Sequence, residues 1–386
     1  MGIRQDLYAS RKPLAGFIAI GLTWAAYFAQ MPVIKAGVGA SDGAYGIAVL
    51  WAALGAFAAM WLAPLAHRLA GGMAVPIAIG VIAVAVVGIG LVSGLVALGL
   101  MSARSGVTDV LVNAQIAEAE EQTGRNLMNL NHGLYSFAYA GSALATGALR
   151  EARVGPLAVF SLLAMVLCLL AWAANVPKSV APDDGRPAIM EGAVAPGLVW
   201  IAGAVVFFAF LSEASAEGWS ALHIERTLGG DATQGALGPA LLGLTMGIGR
   251  LSGHGLGRFL NDRTLMMLAC ILSGIGLGVV AMAPSVGMAL IGFALAGLGV
   301  SVLAPLALAL AGRAVPKMQR LAVISRVSVL GHGAFFFGPP MMGLMSEWIS
   351  LRASFGMVAG LLLLVGITLI PVLTRYSRPA ASQSRA

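Results

Sequence analysis

The sequence predicts an all-α polytopic membrane protein, in which twelve transmembrane helices form two pseudo-symmetric six-helix bundles around a central cavity. Of its 386 residues, 59% are hydrophobic and only 10% are charged, and the mean hydropathy is +0.90. An average soluble domain carries about a quarter charged residues. The chain also contains twelve apolar runs of about 20 residues, the length that a helix needs to cross the hydrocarbon core. Water is therefore excluded as the solvent for most of this chain.

The twelve apolar runs follow one another with short polar connections. In chain order we place the spans at 14–36, 45–66, 72–92, 95–117, 130–150, 154–175, 197–222, 234–258, 265–284, 286–312, 321–346 and 352–374. The longest polar connection, "NVPKSVAPDDGRPAIMEGAVAPG", follows the sixth span. It predicts an N-terminal bundle over 1–175, a linker over 176–196, a C-terminal bundle over 197–374 and a tail over 375–386.

The distribution of Lys and Arg predicts the orientation of the spans. About fifteen of these residues fall on the side that carries both termini and about five on the other side. Both termini are therefore expected in the cytoplasm of a bacterium, with the chain in the inner membrane. The net charge of +7 is then a topology signal and a contact for anionic lipids, which argues against a nucleic-acid surface. We expect a monomer.

Cofactor and metal sites are not predicted. The two cysteines, Cys168 and Cys270, lie in apolar runs, where a thiol behaves as a small hydrophobic group. The five histidines are scattered without metal-ligand spacing, and no phosphate-binding G-x-x-x-x-G-K-[ST] loop occurs. These observations argue against ATP-driven pumping and against an intramembrane enzyme.

A weak internal repeat relates the two halves. The fifth span opens with "NLNHGLYSFAYAG" and the eleventh contains "VLGHGAFFFGPPMMG", which places His132 and His332 at comparable positions. Two related six-helix halves are typical of transporters that rock around a central site. Pro32 and the pair Pro339-Pro340 are expected to kink their helices and permit bending between states.

With twelve spans, a long central loop and both termini on one side, the chain resembles the major facilitator superfamily (MFS) over nearly its whole length. The loop after the second span, "APLAHRLA", is similar to a degenerate form of the family's loop motif, with His67 where Asp is usual and Arg68 retained. The loop after the eighth span, "RFLNDRT", keeps Asp262 and Arg263. The resemblance implies that these four residues help to gate the cytoplasmic side.

Three longer stretches resemble the fucose-permease-related branch, in particular its YbjJ-type bacterial inner-membrane members. They are "GVTDVLVNAQIAEAEEQTGRNLMNLNHGLYS", "SEASAEGWSALHI" and "GPPMMGLMSEWISLRASF". In this resemblance Asp109 corresponds to a carboxylate of the fourth span that the fucose permease uses in proton coupling. Gly218, where relatives often have Asp, and His332, where an aromatic residue is common, depart from the pattern, so no substrate preference is carried over.

Two acidic residues within spans are candidates for proton coupling. An ionised carboxylate inside a membrane is costly, so Asp109 and Glu213 must be neutral, paired or facing water. A carboxyl group in that position can take up and release a proton, as a proton-coupled carrier requires. For Asp109 the alternative is a structural pair with Arg104, about one and a half turns earlier.

A second set of residues forms the predicted substrate site. Its members are polar or aromatic side chains at or within the spans, and each has a structural alternative such as packing, interhelical bonding or anchoring at the interface. For Arg250 we favour structural pairing, with Glu213 or backbone oxygens as the partner, and Arg326 is expected to reach the cytoplasm. The set comprises Trp24, Tyr27, Gln30, Asn113, His132, Tyr135, Glu217, Trp219, Arg250 and His332.

The predicted function is secondary active transport of a small solute by alternating access, coupled to protons. A sugar-like or other small polar solute is favoured. One alternative is a drug or metabolite efflux antiporter, which the absence of Pro from the fifth span disfavours. Another is a non-transporting sensor or scaffold derived from a transporter.

Overall fold

The computed structural model describes residues 3–92, 94–125, 127–175, 196–256, 259–316 and 319–376. The described residues form fourteen α-helices with a 3₁₀ turn at Gly71–Met73 and a π-helical turn at His223–Thr227. The helices are α1 Ile3–Gly37, α2 Asp42–Ala70, α3 Ala74–Val92, α4 Leu95–Thr123, α5 Met128–Glu151, α6 Pro156–Ala173, α7 Pro196–Leu222, α8 Ala232–Leu256, α9 Asp262–Met282, α10 Val286–Val300, α11 Leu303–Arg313, α12 Arg320–His332, α13 Ala334–Trp348 and α14 Leu351–Tyr376.

These helices reproduce the twelve predicted spans. Helices α1 to α9 correspond to the first nine spans, α10 with α11 to the tenth, α12 with α13 to the eleventh, and α14 to the twelfth. In the described part of the chain, seven segments are long enough and apolar enough, by length and composition, to cross a membrane. They are Arg4–Gly37, Leu62–Val92, Pro156–Ala173, Pro196–Thr227, Asp262–Met282, Val286–Arg313 and Leu351–Tyr376.

Two ends of the helical bundle can be distinguished by their contacts. At one end Arg125, after α4, pairs with Asp6 near the start of α1, and Gly197 of α7 packs against Tyr376 of α14. We call this end the terminal face, because α1 begins there and α14 ends there. The other end, which carries the α1–α2 and α13–α14 connections, is called the distal face.

Local sequence signals account for several helix boundaries. Ser41 caps α2, because its side chain accepts a hydrogen bond from the Ala44 amide, and Asn261 caps α9 by accepting from the Thr264 amide. Gly124 ends α4 in the left-handed region with a φ of 66°. Glu120 then accepts from the Leu127 and Met128 amides at 2.6 and 2.8 Å, so one carboxylate satisfies the exposed donors at the start of α5.

Small residues allow the two halves to approach each other closely. Helix α5 packs along α8, where Gly243 faces the ring of Tyr139, and α2 packs along α13, where Gly46 faces the Pro339 carbonyl. Side chains on the outer helices remain exposed, including Val84, Leu169 and Ile367. Close approach by small residues and an apolar exterior are typical of helices packed within lipid.

Two boundaries differ from the sequence predictions. Helix α1 begins at Ile3, so the polar stretch before residue 14 continues the first span as helix. The eleventh span breaks at Gly333, before the predicted kink at Pro339-Pro340. Because these prolines have no N–H, the carbonyls of Phe335 and Phe336 lose their usual donors. The backbone adopts tighter bonding at Gly333, whose own amide donates to Leu330 at 3.2 Å.

The domain boundaries remain predictions. The linker predicted over 176–196 lies outside the described residues except for Pro196, which begins α7. The tail predicted over 375–386 is described only to Tyr376, where α14 ends.

Candidate functional site: a cavity between the two halves

A cavity of about 290 Å³ lies between the two halves of the bundle. Helices α1, α2, α4 and α5 of the first half and α7, α12 and α13 of the second half contribute its wall. Eight predicted site residues meet there: Trp24, Tyr27, Asp109, Tyr135, Glu213, Glu217, Trp219 and His332. Both predicted coupling carboxyls and six of the predicted substrate residues therefore share one cavity.

Asp109 is half-buried on the α4 side of the cavity. Its Oδ1 accepts a hydrogen bond from Asn113 Nδ2 at 3.1 Å, and the same amide nitrogen donates to the Asp109 carbonyl at 2.8 Å. The structural alternative for Asp109 is not observed, because no ion pair joins Arg104 and Asp109 in the described part of the chain. Asp109 is therefore held by an amide of its own helix and stays open to the cavity.

His332 faces Asp109 from the other half. Its Nδ1 lies 2.7 Å from the Ser328 carbonyl, which can only accept, so this nitrogen carries a hydrogen. The Nε2 atom is then the ring nitrogen that can accept a hydrogen bond in the neutral ring. Asp109 and His332 thus line the same cavity from opposite halves.

Two carboxyls lie one helical turn apart on α7, with different surroundings. Arg250 Nη2 of α8 lies 3.5 Å from Glu213 Oε1, and the two side chains are 26% and 19% exposed. This is the pairing that the sequence favoured for Arg250. Glu217 is half-buried at the cavity wall, and among the described residues it makes no hydrogen bond or ion pair. One of the two α7 carboxyls is thus paired and the other is open.

Aromatic rings line much of the remaining wall. Trp24 stacks on Phe28 with a centroid separation of 5.5 Å, and Tyr45 meets Trp219 edge-on at 6.2 Å. The hydroxyls of Tyr27 and Tyr45 are hydrogen-bonded at 2.6 Å. These contacts join α1, α2 and α7 into a rigid aromatic surface.

Four predicted substrate residues do not line this cavity. Gln30 is fully buried in α1, and its amide has no hydrogen-bond partner among the described residues. Asn113 is bonded to Asp109 as described, and His132 packs edge-on against Phe17 at 4.8 Å. Arg250 is connected to the cavity only through Glu213. His132 and His332 are therefore related by the repeat but differ in their surroundings.

The four predicted gating residues lie near the terminal face. His67 is buried near the end of α2, and Arg68 next to it is exposed. Asp262, at the start of α9, pairs with Arg313 Nη2 of the same half at 2.7 Å, and Arg263 is exposed. Their gating role remains a prediction.

A set of ion pairs joins the two halves at the distal face. Asp42 of α2 accepts from Arg226 at 2.7 and 2.6 Å and from Ser346, and it pairs with Lys35 at 2.9 Å. We call Lys35, Asp42, Arg226 and Ser346 the latch. Burial alone would raise the pKa of Asp42, but the hydrogen bonds from Arg226, Ser346 and Lys35 outweigh it and hold that pKa well below its usual range.

Two further polar contacts strengthen closure at the distal face. Glu347 of α13 accepts from the Ser41 hydroxyl and the Gly43 amide, both at 2.7 Å. Arg150 of α5 forms a two-bond ion pair with Glu225 at 2.7 and 2.8 Å. Because each contact joins one half to the other, the cavity is closed on this side.

Sequence reasoning missed several residues of the cavity and all of the latch. Ser102 and Ser105 line the cavity with Asp109, and their spacing of three and seven residues places them on one face of α4, a signal that was available. Tyr45 and the latch gave no comparable signal, because their partners lie far away in the sequence. Arg326, expected to reach the cytoplasm, is exposed beside Trp200 on the outside of the bundle.

The arrangement can hold a small solute and exchange protons. Carboxyls and an imidazole from both halves meet an aromatic wall in a chamber that is closed at one face. Among the described residues, no group of three or more His, Cys, Asp or Glu side chains could hold a metal ion. The fold and site define a multi-pass helical membrane protein of the secondary-transporter class, with a solute cavity between two six-helix halves.

Comparisons with known proteins agree with this class. A family model described as Major Facilitator Superfamily matches residues 202–386. An uncharacterized MFS-type transporter of Yersinia pestis is 31% identical over 364 residues, which cover 91% of this chain and 92% of that protein. The membrane protein MosC of Rhizobium meliloti is 26% identical over 344 residues, which cover 87% and 83% of the two chains.

The fold is also shared with a solved structure. The crystal structure of a bacterial homolog of the human lysosomal transporter Spinster, in an inward-facing and occupied conformation, matches with a TM-score of 0.73. The sequence identity is 14%, and the match covers 98% of this chain and 100% of that one. The chain belongs to the major facilitator superfamily: it is a secondary transporter of small solutes and not an enzyme. Its placement in the fucose-permease-related branch stays a prediction.

Proposed function

We propose that this protein transports a small polar solute across the bacterial inner membrane in a proton-coupled cycle of alternating access. Asp109 is the main proton-coupling group, and Glu213 takes part through its pair with Arg250. The solute occupies the cavity between the two halves, against the aromatic surface formed by Trp24, Tyr45 and Trp219. Sugar-like solutes fit this surface, because flat rings pack well against the apolar faces of sugars.

The observation that carries the proposal is the position of Asp109. A carboxyl within the hydrocarbon region is costly when ionised, and such groups usually mark an ion or proton pathway. Here the carboxyl is open to the cavity, its one side-chain hydrogen bond to a described residue comes from Asn113, and His332 of the other half lines the same cavity. A proton that moves on or off Asp109 changes the attraction between the halves, which couples protonation to their relative motion.

The proposed orientation places the terminal face in the cytoplasm. The excess of Lys and Arg on that side supports this assignment. The distal face is then periplasmic, and its ion pairs close the cavity to the periplasm. In this proposal a state closed at the distal face is inward-facing, and His67, Arg68, Asp262 and Arg263 at the cytoplasmic end gate that side.

The test is transport by purified protein in proteoliposomes under an imposed pH gradient, with a panel of sugars, amino sugars, polyols and nucleosides. Asp109→Asn is expected to reduce gradient-driven accumulation at least about tenfold. Removal of a positioned proton-transfer group usually costs about a hundredfold or more in rate, so tenfold is a lower limit. Solute exchange without a gradient should persist, because the amide keeps the size and hydrogen bonds of the carboxyl.

The matched control is Glu121→Gln, the same carboxyl-to-amide change at an exposed position near the end of α4. It should leave the flux at the level of the unmodified protein. Unchanged gradient-driven flux in Asp109→Asn would remove the coupling assignment. Gradient-driven movement of solute in the outward direction only would favour the efflux antiporter instead.

A further inference from the structure

We propose that the transported solute carries a protonated amine, which binds to the Glu217 carboxylate within the aromatic part of the cavity. This inference rests on the proposed transport function and narrows its substrate class from small polar solutes to small organic cations. It depends on how the charged groups of the cavity are paired.

Among the described residues, each acidic group that lines the cavity, except one, has a hydrogen-bond or ion-pair partner. Asp109 accepts a hydrogen bond from the Asn113 amide at 3.1 Å. Glu213 pairs with Arg250 at 3.5 Å. Glu217 remains, and it has no hydrogen bond or ion pair among the described residues. With Asp109 bonded to Asn113 and Glu213 paired with Arg250, the Glu217 carboxylate is left for the solute to neutralise.

The second observation is the ring system around this carboxylate. Trp219 lies two residues further along α7, and Trp24, Phe28 and Tyr45 pack with it around the same chamber. The negative faces of aromatic rings attract cations, more strongly where water is excluded. A carboxylate combined with several rings favours an ammonium group over a neutral hydroxyl or an anion.

The third observation concerns a hydrogen-bond donor in the wall of the chamber. Trp219 lines the cavity although it is only 2% exposed, and no hydrogen bond joins its indole N–H to another described residue. Because an indole nitrogen can only donate, it fits an acceptor oxygen on the solute. The cavity volume of about 290 Å³ lies at the small end for ligand pockets. A compact amine with at least one oxygen atom satisfies both conditions.

A solute of this class changes the role of Glu217 in the cycle. Without the amine, an ionised Glu217 in this chamber would be an unpaired charge, so proton uptake is the remaining way to neutralise it. With the amine bound, the proton is no longer needed there. Glu217 therefore holds either the cationic solute or a proton, while Asp109 carries the coupling proton.

The experiment measures ligand stabilisation of the purified protein in detergent by thermal unfolding, without any gradient. The probes are two matched sets that differ in charge: glucosamine with glucose and glucuronate, and tyramine with tyrosol and 4-hydroxyphenylacetate. We expect an amine to raise the unfolding midpoint while its neutral and anionic counterparts do not. In Glu217→Gln the apparent affinity for that amine should fall at least about tenfold, because one partner of a partly buried charge pair is lost.

Glu151→Gln, which alters an exposed carboxyl at the end of α5, is the control and should retain the preference for amines. Three results would overturn the proposal: equal or stronger stabilisation by a neutral or anionic counterpart, stabilisation by none of the amines, or an unchanged amine preference in Glu217→Gln. Each of these leaves the proton-coupled transport proposal intact, because binding is measured without a gradient. Unchanged flux in Asp109→Asn, in contrast, removes the coupling and not the amine site.

Discussion

At the scale of single residues, the contact between Tyr27 and Tyr45 shows how the cavity wall is stabilised. The two side chains are 1% and 6% exposed, and their hydroxyls are 2.6 Å apart. A buried hydroxyl that loses its partner costs free energy, whereas removal of both partners is nearly neutral. This asymmetry provides a direct test of the contact.

Tyr45→Phe is expected to lower the free energy of unfolding by about 1 to 2 kcal/mol, because the Tyr27 hydroxyl is left without its partner. The double variant Tyr27→Phe/Tyr45→Phe should recover part of that loss. The measurement is thermal unfolding of the purified variants, with Tyr8→Phe as the control, since Tyr8 is 68% exposed. A double variant that loses as much as the sum of the single changes would show that the hydroxyls do not act as a pair.

Polar residues within apolar runs were the part of the site that could be predicted. Asp109 and Glu213 were identified because a charged group is costly in lipid and must face a cavity or a partner, and His332 was identified by its position in the internal repeat. Gln30 was chosen for its spacing from Trp24 and Tyr27. Each step of three residues turns about 60° short of a full turn, so Gln30 lies about 120° away from Trp24 around α1. Phe28, four residues after Trp24, reaches the cavity instead.

At the scale of elements, the packing of α9 against α10 depends on glycine. A Cβ atom on Gly276 would lie 2.5 Å from the Ala296 nitrogen and 2.6 Å from the Gly292 carbonyl oxygen. These neighbours are backbone atoms, which cannot move away without separating the helices. Close backbone approach of this kind is a main source of association between helices in lipid.

Gly276→Ala is therefore expected to destabilise the protein by about 1 to 3 kcal/mol, the usual cost of overpacking. Gly278→Ala, on the same helix, has nothing within 4 Å of the added Cβ and should be neutral or slightly stabilising. Thermal unfolding of both variants in the same detergent checks the difference. Equal midpoints for the two variants would contradict the packing argument.

Among the elements, the number and order of spans were predictable, but their breaks were not. Twenty-residue apolar runs identify helices because the bilayer has a fixed thickness. The eleventh span divides into two helices at Gly333, and this is the span in which Pro339 and Pro340 predict a kink. No local signal marks a break at Gly333, and the kink at the prolines stays a prediction.

At the scale of the whole molecule, the latch decides which face of the cavity is closed. Asp42 is 6% exposed, and its partners Lys35, Arg226 and Ser346 come from α1, the π-helical turn and α13. Such contacts between halves could not be predicted, because their members lie up to several hundred residues apart and none has a distinctive local pattern. The two-bundle architecture was predictable from the sequence, but the face at which the two halves close the cavity was not.

Asp42→Asn should shift the protein toward opening of the distal face. The expected cost to the closed state is about 1 to 3 kcal/mol, because the ion pairs are partly screened where Arg226 is 43% exposed. Spin labels on the α1–α2 and α13–α14 connections, introduced after Cys168 and Cys270 are replaced by Ser, would report the change as a longer distance. Asp231→Asn, at a distal-face carboxylate that caps α8 within its own half, is the control and should leave this distance unchanged.

The pH dependence of the same distance has a definite sign. Because the closed state holds the pKa of Asp42 well below its usual range, the latch is at full strength above about pH 4, the ordinary value for Asp, and weakens as the pH falls below it. The label distance should therefore stay constant between about pH 8 and pH 5 and lengthen below about pH 4. The contrary result would be a label distance that lengthens between pH 8 and pH 5 in both the unmodified protein and Asp42→Asn. The pH response would then belong to another group, and this account of the latch would be contradicted.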